Sequence, residues 1–451
     1  MLQLPKEFIQ SVSCCVGFEV EAFLKAHQTD SPTSIRLNPF KKAELKFPLS
    51  NPVLWNDKGF YLNERPNFTY DVLFQAGCYY VQEAGSMFIE QALKSCVDFK
   101  ETLIALDLCA SPGGKSTLIN SLINKDSVLV ANEVVKQRAE VLAQNLSKWG
   151  TANVVVTNND PSAFSDMDEV FDVMVVDAPC SGSGLFRKQH DAVEEWSLDN
   201  VNLCSQRQKR ILSDIIPALK SGGVLVYSTC SYSQEENEQI SDWLMTEFDL
   251  ESVQIPIAKD WGIVEAKSEI HQAFGYRFYP DKTTSEGFFC ATFRKKGYTS
   301  EQHFKKSKKE QFVPIKTKEK EVFKNWISDL ENQTIIKFKE DYLLTNELAL
   351  NFINRFQHLY LKKVGTNIGS VIKNEVVPHH DLALSIHRLD VIPAIECSEE
   401  QAIKFLKKEL QNIEGSKGWN LMSYQGFGLG WIKHLGNRFN NYLPNEFRIL
   451  K

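Results

Sequence analysis

Between residues 100 and 295 the chain alternates short apolar runs with amphipathic stretches, and this alternation limits its fold more than any other feature. The runs are TLIALDL (102–108), SVLVAN (127–132), NVVVTN (153–158), DVMVVDA (172–178) and VLVYSTC (224–230). Each is apolar along its length, as expected for a parallel strand that is buried on both faces. The pattern predicts a doubly wound α/β sheet that binds ligands at the carboxyl ends of its strands.

The segments between the runs carry helix signals. KSTLINSLI (115–123) follows the first run. After the second run, Leu142, Leu146 and Trp149 fall on one helical face. This helix should end at Gly150, because glycine readily adopts the left-handed angles found at helix C-termini.

The rest of this segment predicts further elements. We expect a helix at about 199–219 and a turn at SGG (221–223) that leads into VLVYSTC. GYRFYPD (275–281) and GFFCATFRK (287–295) predict a hairpin that extends the sheet. The Lys-rich residues 297–325 are interpreted as a linker or an exposed basic arm.

Composition limits the class of protein. A chain of 451 residues is too long for one compact core, and its 43% hydrophobic and 24% charged residues are typical of soluble globular domains. No apolar run approaches the roughly 18 residues of a membrane span. The start, MLQLPKEFIQSVS, lacks the basic and apolar regions of an export signal. We therefore expect a cytoplasmic protein without a membrane partner.

The ten cysteines are scattered, and no two of them form a C-x-x-C pair. This spacing predicts neither a zinc ribbon nor a redox loop, and the thiols should be reduced in the cytoplasm. The pair His379-His380 has no cysteine or acidic ligand pattern nearby and is interpreted as a loop. No metal site is predicted.

The stretch CASPGGK is the strongest local signal for a ligand. A phosphate-binding Walker loop needs a first glycine where this chain has Cys109, and the dinucleotide pattern G-x-G-x-x-G is also absent. The stretch therefore predicts a glycine turn whose backbone N–H groups approach another adenosine cofactor. The candidate cofactor-binding residues here are Cys109, Ala110, Ser111, Pro112, Gly113, Gly114 and Lys115.

Carboxyl groups stand at the ends of four successive strands: Asp107, Glu133, Asp160 and Asp177. Since parallel strands end at one edge of a sheet, these groups should face one crevice, and Glu133 is placed to bind the hydroxyls of a ribose. The alternative is that such residues only cap the helices that follow. We predict that Glu133, Asp160 and Asp177 contact the cofactor.

Several motifs carry a family resemblance. DLCASPGGKS, VVDAPCSGSGLFRK and YSTCSYS resemble the S-adenosylmethionine-dependent RNA cytosine-C5 methyltransferases of the NOL1/NOP2/Sun family. SIRLNP (34–39), YYVQEAGSM (79–87) and DKTTSEGFF (281–289) resemble further segments of that family. WSLDNVNLCSQRQKRIL and GLGWIK…GNRFNNYLP are similar to its members that act on bacterial ribosomal RNA. The similarity thus extends over nearly the whole chain.

The resemblance implies a Rossmann-like α/β methyltransferase domain with added RNA-binding regions. The implied units are an N-terminal RNA-binding extension (1–78), the methyltransferase domain (79–297), a basic linker and pre-PUA region (298–385) and a PUA-like α+β domain (386–451). The implied cofactor is S-adenosylmethionine. The implied partner is 16S ribosomal RNA or the small ribosomal subunit. Transfer RNA as substrate, and an RNA-binding assembly factor with little turnover, are the alternatives.

Methylation of cytosine C5 requires a thiolate that adds to C6, and this chemistry directs attention to two cysteines. The resemblance implies that Cys230 attacks, that Cys180 assists product release and that Asp177 contacts the cofactor or the base. In DNA cytosine methyltransferases the cysteine of the PC motif attacks, so the residues alone leave the two roles open. Ser233 and Glu236 suggest a capping box, and the helix after it would stabilise a Cys230 thiolate.

Basic residues suggest where RNA would bind, although the net charge is −6. The closing stretch mixes cations with aromatic residues: Lys433, Arg438 and Arg448 with Trp431, Phe439 and Tyr442. Such a mixture grips phosphates and stacks bases, but it also fits the core of a small β-domain. The Lys-rich residues 305–324 could contact phosphates, with a solvated linker as the alternative. Lys188 is a candidate for contact with a phosphate or a carboxylate. The composition of an N-terminal group is compatible with RNA contact but not specific for it: Arg36, Lys41, Lys42, Lys46, Phe40 and Phe47.

Overall fold

The computed structural model describes residues 3–297 and 310–450. These residues form one ten-stranded sheet and three four-stranded sheets. Within the two described ranges, no helix has the length and apolar character that a membrane crossing requires.

The N-terminal unit is an antiparallel sheet with short helices around it. Its elements are α1 (Lys6–Val12), α2 (Val20–Ala26), β1 (Thr33–Leu37), β2 (Asn51–Pro52), β3 (Gly59–Leu62), α3 (Val72–Gln75) and β4 (Tyr79–Val81). The strand order is β2-β3-β1-β4. The predicted boundary between residues 78 and 79 therefore falls inside this sheet. Helix α4 (Ile89–Lys94) leads into the next unit.

The central sheet contains the apolar runs of the sequence. Its first part comprises β5 (Ile104–Asp107), α5 (Gly114–Leu122), β6 (Val128–Asn132), α6 (Lys136–Trp149), β7 (Val154–Thr157), β8 (Phe171–Asp177), α7 (Asp191–Glu195) and α8 (Leu198–Ile215). Its second part comprises β9 (Leu219–Thr229), α9 (Glu238–Glu247), β10 (Leu250–Ser252), β11 (Val264–Lys267), β12 (Phe274–Phe278) and β13 (Phe288–Lys295). Strands β9, β8, β5, β6 and β7 are parallel neighbours in that order, and β13 and β12 follow β9 as the predicted hairpin.

Helices cover both faces of this sheet, as the doubly wound pattern predicts. Side chains alternate between the faces of a strand. Leu106 of β5 belongs to the same core as Leu212 of α8. The preceding residue, Ala105, belongs to the core on the other face, together with Leu118 of α5. The doubly wound fold is confirmed.

Two local predictions near this sheet have different outcomes. Helix α6 ends as expected, since Gly150 takes a φ of 96° and its N–H bonds to Leu146 O. The turn predicted at SGG (221–223) is wrong, because these residues lie inside β9. There β9 forms a bulge opposite β8, between Phe171 and Val173, and Gly222 supplies a left-handed φ of 80°.

A third unit follows residue 310. Its elements are α10 (Thr317–Lys320), β14 (Thr334–Phe338), β15 (Asp341–Thr345), α11 (Glu347–Arg355), β16 (Leu361–Val364), β17 (Thr366–Ile372), β18 (Glu375–Val377) and α12 (His380–Leu384). Strands β14, β15, β17 and β18 form its sheet. Strand β16 is not part of this sheet. It pairs antiparallel with β7 and extends the central sheet at the edge opposite the hairpin.

The predicted linker holds only in part. Residues 298–309 of the Lys-rich segment lie outside the described residues. Most of residues 310–325 are exposed, as predicted, but Phe312 and Phe323 are buried in hydrophobic cores and anchor the segment to the protein.

The C-terminal unit comprises β19 (Ala394–Glu396), α13 (Glu399–Leu406), β20 (Gly418–Tyr424), β21 (Phe427–His434) and β22 (Phe439–Asn441). Strand β19 is parallel to β20, and the other neighbours are antiparallel. Phe405 and Met422 share a hydrophobic core with Ile35 and Tyr79, so this unit packs on the N-terminal sheet.

Candidate active site

The predicted glycine turn lies between β5 and α5. Gly113 takes a φ of 116° and immediately precedes α5, which begins at Gly114. A Cβ atom on Gly113 would lie 3.3 Å from Leu142 Cδ1, at a backbone angle that side chains rarely adopt. The Ala110 N–H donates to Asn132 O of β6 (2.9 Å). The turn is therefore fixed at the carboxyl edge of β5 and β6.

Helix α6 holds the outside of this turn. Asn145 donates to Pro112 O (2.8 Å), and Arg138 donates to Ser111 O (3.0 Å). Cys109 begins the turn, and desolvation raises the pKa of its thiol. The raised pKa favours the thiol form of Cys109 over the nucleophilic thiolate.

A carboxyl group and an ion pair lie beside the turn. Lys115 Nζ is 2.7 Å from Asp177 Oδ2, and Ser228 Oγ donates to Asp177 Oδ1 (2.8 Å). Asp107 is buried and accepts a hydrogen bond from Ser116 Oγ (2.6 Å). Its Oδ1 has no hydrogen-bond partner among the described residues. Desolvation raises the pKa of Asp107 to about 7.

The other two predicted carboxylates have different contacts. Glu133 is buried, and the N–H of Val135 donates to it (2.9 Å). Asp160 accepts a hydrogen bond from the Ser162 N–H (3.1 Å), caps a 3-10 turn and lies 3.2 Å from Arg210. These are the contacts of a helix cap, so a cofactor contact at Asp160 stays a prediction.

Cys180 and Cys230 meet at the ends of neighbouring strands. Strands β8 and β9 pair Asp177 with Ser228, and each cysteine follows shortly after. The two Sγ atoms are 3.1 Å apart, and both side chains are partly exposed. The hydrogen bond with Cys230, together with desolvation, raises the pKa of Cys180 well above its usual range. The two sulfur atoms are therefore within hydrogen-bond distance, and the raised pKa favours the thiol form of Cys180.

The capping box predicted at Ser233 and Glu236 is wrong. Ser233 precedes one 3-10 turn, Gln234–Glu236, and its side chain makes no cap hydrogen bond. Glu236 instead accepts hydrogen bonds from Ser181 and Ser231. Helix α9 begins only at Glu238, so its N-terminus does not directly follow the Cys230 thiol.

The motif after Cys180 packs on the loop before β13. The Gly184 N–H donates to Cys230 O (2.8 Å), and the Gly287 N–H donates to Gly184 O (3.1 Å). A Cβ atom on Gly184 would lie 2.4 Å from Gly287 O, so this contact requires glycine. Two motifs that are distant in sequence therefore form one wall beside the thiols. Lys188, farther along the same motif, is exposed.

Comparison with known proteins covers most of the chain. Residues 95–294 match the family model for the 16S rRNA methyltransferase RsmB/F. Residues 4–84 match the N-terminal domain of 16S rRNA methyltransferase RsmF, and residues 392–449 match the methyltransferase RsmF PUA domain. A ribosomal RNA small subunit methyltransferase F from Aliivibrio fischeri is 30% identical over 98% of this chain and 97% of its own length. The chain belongs to the RsmF family.

Other proteins extend this comparison. The ribosomal RNA small subunit methyltransferase F of Aeromonas hydrophila is also 30% identical, over 98% of this chain and 97% of its own. A solved methyltransferase homolog protein from Pyrococcus horikoshii is 30% identical, with a TM-score of 0.55 over 65% of this chain and 96% of that one. NSun6 from the same organism, solved with SFG, shares the fold at a TM-score of 0.54 and 21% identity, over 64% of this chain and 98% of its own. The predicted family, its Rossmann-like methyltransferase domain, its PUA region and an RNA methyltransferase activity are confirmed.

Arg36 of this RsmF-family protein has a structural position that the sequence did not predict. It is buried, donates to Thr117 Oγ1 (2.6 Å) and Gly114 O (3.3 Å), and lies 4.8 Å from the centre of the Trp149 ring. Gln82 accepts a further hydrogen bond from its Nε (2.9 Å). The N-terminal unit thus holds the first turn of α5. Only the resemblance of SIRLNP marked this position.

The N-terminal candidates for RNA contact are therefore fewer than predicted. Besides Arg36, Lys41 is buried, and its Nζ donates to Ala76 O (2.8 Å) and Lys148 O (2.6 Å). Lys46 forms an ion pair with Glu399 of the C-terminal unit. These cations hold units of the protein together, so an RNA role is withdrawn for Arg36 and Lys41.

The C-terminal RsmF-type unit also corrects two predictions. Trp431 is buried and its indole N–H donates to His379 O (2.8 Å), so this ring is not available for base stacking. Tyr442 is partly exposed and packs edge-on against Trp419. His379 and His380 do not form a loop, since His379 caps α12 and His380 begins it. Among the described residues no cluster of side chains suited to a metal ion occurs.

Proposed function

We propose that this RsmF-family protein transfers a methyl group from S-adenosylmethionine to C5 of a cytosine in 16S ribosomal RNA, through a covalent bond between Cys230 and C6. The observation that carries the proposal is the 3.1 Å approach of the two Sγ atoms, next to the Lys115–Asp177 pair. C5 of cytosine becomes nucleophilic only after a nucleophile adds at C6, and a cysteine beside the methyl donor supplies it. The relatives are ribosomal RNA small subunit methyltransferases, which supports RNA as the substrate.

The residues around the glycine turn fit S-adenosylmethionine. Asp107 Oδ1 is buried without a partner among the described residues, and Glu133 and Asp177 lie near enough to raise the pKa of Asp107 further, beyond the larger effect of desolvation. These carboxyl groups suit a cationic ligand, and we assign Glu133 to the hydroxyls of the ribose. The residues that would hold the cofactor are Cys109–Lys115, Glu133, Asp160 and Asp177. S-adenosylmethionine would supply a methyl group on a sulfonium, and NSun6, which shares the fold, was solved with an analogue of it.

The two cysteines then have separate tasks. The Cys230 thiolate forms a bond to C6 of an unstacked cytosine, and the ring electrons move to C5. C5 takes up the methyl group while the bond from the methyl carbon to the donor sulfur breaks, and its electrons stay on the sulfur. The C5 proton passes to solvent, the electrons of that bond restore the ring, and the bond between Cys230 and C6 breaks. Cys180 lies within hydrogen-bond distance of the departing sulfur, and in this proposal its thiol donates to that sulfur and stabilises its charge. In this proposal Asp177 binds the N3 and amino edge of the base.

Covalent trapping tests the chemistry. We expect Cys180→Ala to accumulate a protein–RNA adduct that survives denaturing electrophoresis, because release is slowed after attack by Cys230. Cys230→Ala should form none. An adduct with Cys230→Ala and not with Cys180→Ala would reverse the two roles.

Bisulfite sequencing of RNA from cells with and without the gene tests the substrate. Loss of one or more 5-methylcytosine signals in 16S ribosomal RNA is the expected result. Loss confined to transfer RNA would contradict the substrate. No loss in either RNA would contradict the catalytic function and favour an assembly role.

A further inference from the structure

Glu236 connects the two loops that carry the cysteines. Its Oε1 accepts the Ser181 N–H (2.8 Å), and its Oε2 accepts the hydroxyls of Ser181 (2.6 Å) and Ser231 (2.5 Å). Gln208 of α8 donates to Oε1 (3.3 Å). Ser181 directly follows Cys180, and Ser231 directly follows Cys230. One buried carboxylate therefore bonds to the neighbours of both sulfur atoms.

The contacts indicate an ionised carboxylate. The Ser181 N–H and the Gln208 amide can only donate to it, and both hydroxyls are free to do the same. Desolvation raises the pKa of Glu236, while these donated hydrogen bonds oppose the shift. Buried carboxylates of this kind stay charged only when donors surround them.

The charge of Glu236 acts on the thiols around it. The pKa of Cys180 is raised chiefly by the hydrogen bond with Cys230 and by desolvation. The charge of Glu236 raises it further, by a smaller amount. It also contributes to the raised pKa of Cys204 on α8 and of Tyr227 on β9, in both cases after the larger effect of desolvation. Arg207 opposes it at Cys204. Asp177, at the end of β8, is a further charge that raises the pKa of Tyr227.

We propose that Glu236 is a positioning residue that holds the Cys180 and Cys230 loops together so that their sulfur atoms meet, and that it fixes a negative charge beside Cys180. The catalytic meaning of this proposal rests on the function proposed above, but the arrangement itself does not. In the reaction, the charge would keep Cys180 as the proton-bearing partner and leave attack to Cys230.

Two variants of the full chain separate the charge from the hydrogen bonds. Glu236→Gln removes the charge, but its amide oxygen still accepts from Ser181, and its NH₂ donates to the hydroxyls. Glu236→Ala removes both. Glu235→Gln is the matched control, because Glu235 carries the same charge in the same turn, but Glu236 and not Glu235 contacts Ser181 and Ser231.

The first readout is the pH dependence of Cys180 alkylation by iodoacetamide in a Cys230→Ser background, followed by peptide mass spectrometry. We expect Glu236→Gln to move the midpoint down by about one pH unit, because a like charge near the thiol is removed. Glu235→Gln should move it by less than about 0.3 units. An unchanged midpoint in Glu236→Gln would overturn the role of the charge, since a purely structural residue would not shift it.

The second readout is cross-linking of Cys180 to Cys230 by an azo oxidant such as diamide. The two thiols lose two protons and two electrons to the azo group and form one disulfide. The parent chain and Glu236→Gln should cross-link rapidly, and Glu236→Ala about tenfold more slowly, because the loops are no longer held at sulfur contact. Equal rates in all three would overturn the clamp.

Thermal unfolding identifies variants that do not fold. If Glu236→Ala is among them, Ser181→Ala replaces it, since this change removes one hydroxyl from the carboxylate and should slow cross-linking by a smaller factor. An unchanged rate in Ser181→Ala would then count against the clamp. Neither readout uses RNA or the methyl donor, so a negative bisulfite result would overturn the proposed function and leave this proposal standing.

Discussion

The two sides of the site are held by different kinds of contact. On the thiol side, which consists of Cys180 and Cys230, hydrogen bonds from the adjacent residues converge on Glu236. On the cofactor side, which consists of Asp107, Lys115 and Asp177, an ion pair of 2.7 Å lies beside a buried carboxyl group.

This difference corresponds to the tasks that we propose for each side. The thiol side must form and break a covalent bond, which requires accurate placement of neutral and ionised sulfur. The cofactor side must attract a cationic ligand, which requires negative charge at low exposure. A change on the thiol side should therefore affect chemistry alone, whereas a change on the cofactor side should affect stability and binding.

The largest effect is expected for Cys230→Ala. Methyl transfer should fall by on the order of a thousandfold or more, because in the proposed mechanism no other group forms the bond to C6. The dissociation constant for S-adenosylmethionine should stay within about twofold of the parent value, because Cys230 belongs to the thiol side. Transfer of a tritiated methyl group measures the first quantity, and calorimetry measures the second. A parallel loss of cofactor affinity would show that the two sides are not independent.

The sequence predicts where the residues of the site lie along the chain and in the sheet, but it does not predict which residues they contact. Asp177, Cys180 and Cys230 each stand at or just after an apolar run, and parallel strands bring such positions to one edge. Ser233 and Glu236 also have the spacing of a capping box, but they do not form one. The Glu236 carboxylate instead accepts a hydrogen bond from Ser181, which lies 55 residues away in the chain. A local pattern contains no information about such a partner.

Prediction from the sequence was limited in the same way at the edges of the central sheet. The hairpin of β12 and β13 was predictable because its strands are neighbours in sequence and rich in aromatic residues. Strand β16 (Leu361–Val364) is short and contains two lysines, and it pairs with β7 from far along the chain. Arg36 was misplaced for a similar reason. A lone arginine in SIRLNP is typical of a surface, and only the folded chain brings Gly114 and Thr117 to it.

The next effect concerns Asp107, whose pKa is raised to about 7 by desolvation. In the unfolded chain the pKa of an aspartate is about 3.9. Between these values the folded state keeps the proton and the unfolded state has lost it. The free energy of unfolding should therefore fall as pH rises from about 4 to 7 and level off above that range.

Replacement by asparagine isolates this contribution. Relative to Asp107→Asn, the parent chain should lose about 1 kcal/mol of unfolding free energy per pH unit inside that window. Urea unfolding at several pH values between about 5 and 8 measures the slope. Equal slopes in the two proteins would mean that Asp107 is ionised when folded, and that the cofactor side carries more charge than its burial indicates.

The smallest effect is the coupling between Lys115 and Asp177. We expect a double-mutant cycle of Lys115→Met and Asp177→Asn, measured by urea unfolding, to give a coupling energy of about 1 kcal/mol. Lys115 is 14% and Asp177 34% exposed, so solvent screens this pair only in part. The control is Lys324 with Glu321, where both side chains are 64% exposed at 3.7 Å, and where we expect less than about 0.5 kcal/mol.

The control determines what the cycle means. A coupling no larger than that of Lys324 and Glu321 would show that the Lys115–Asp177 ion pair does not hold the cofactor side together. Asp177 would then be fixed chiefly by Ser228, which donates to its other oxygen. In that case hydrogen bonds would organise both sides of the site, and the contrast between an ion-paired side and a hydrogen-bonded side would be wrong. A coupling near 1 kcal/mol would show that the ion pair stabilises the cofactor side. An unchanged cofactor affinity in Cys230→Ala would show that the thiol side can be altered without the cofactor side.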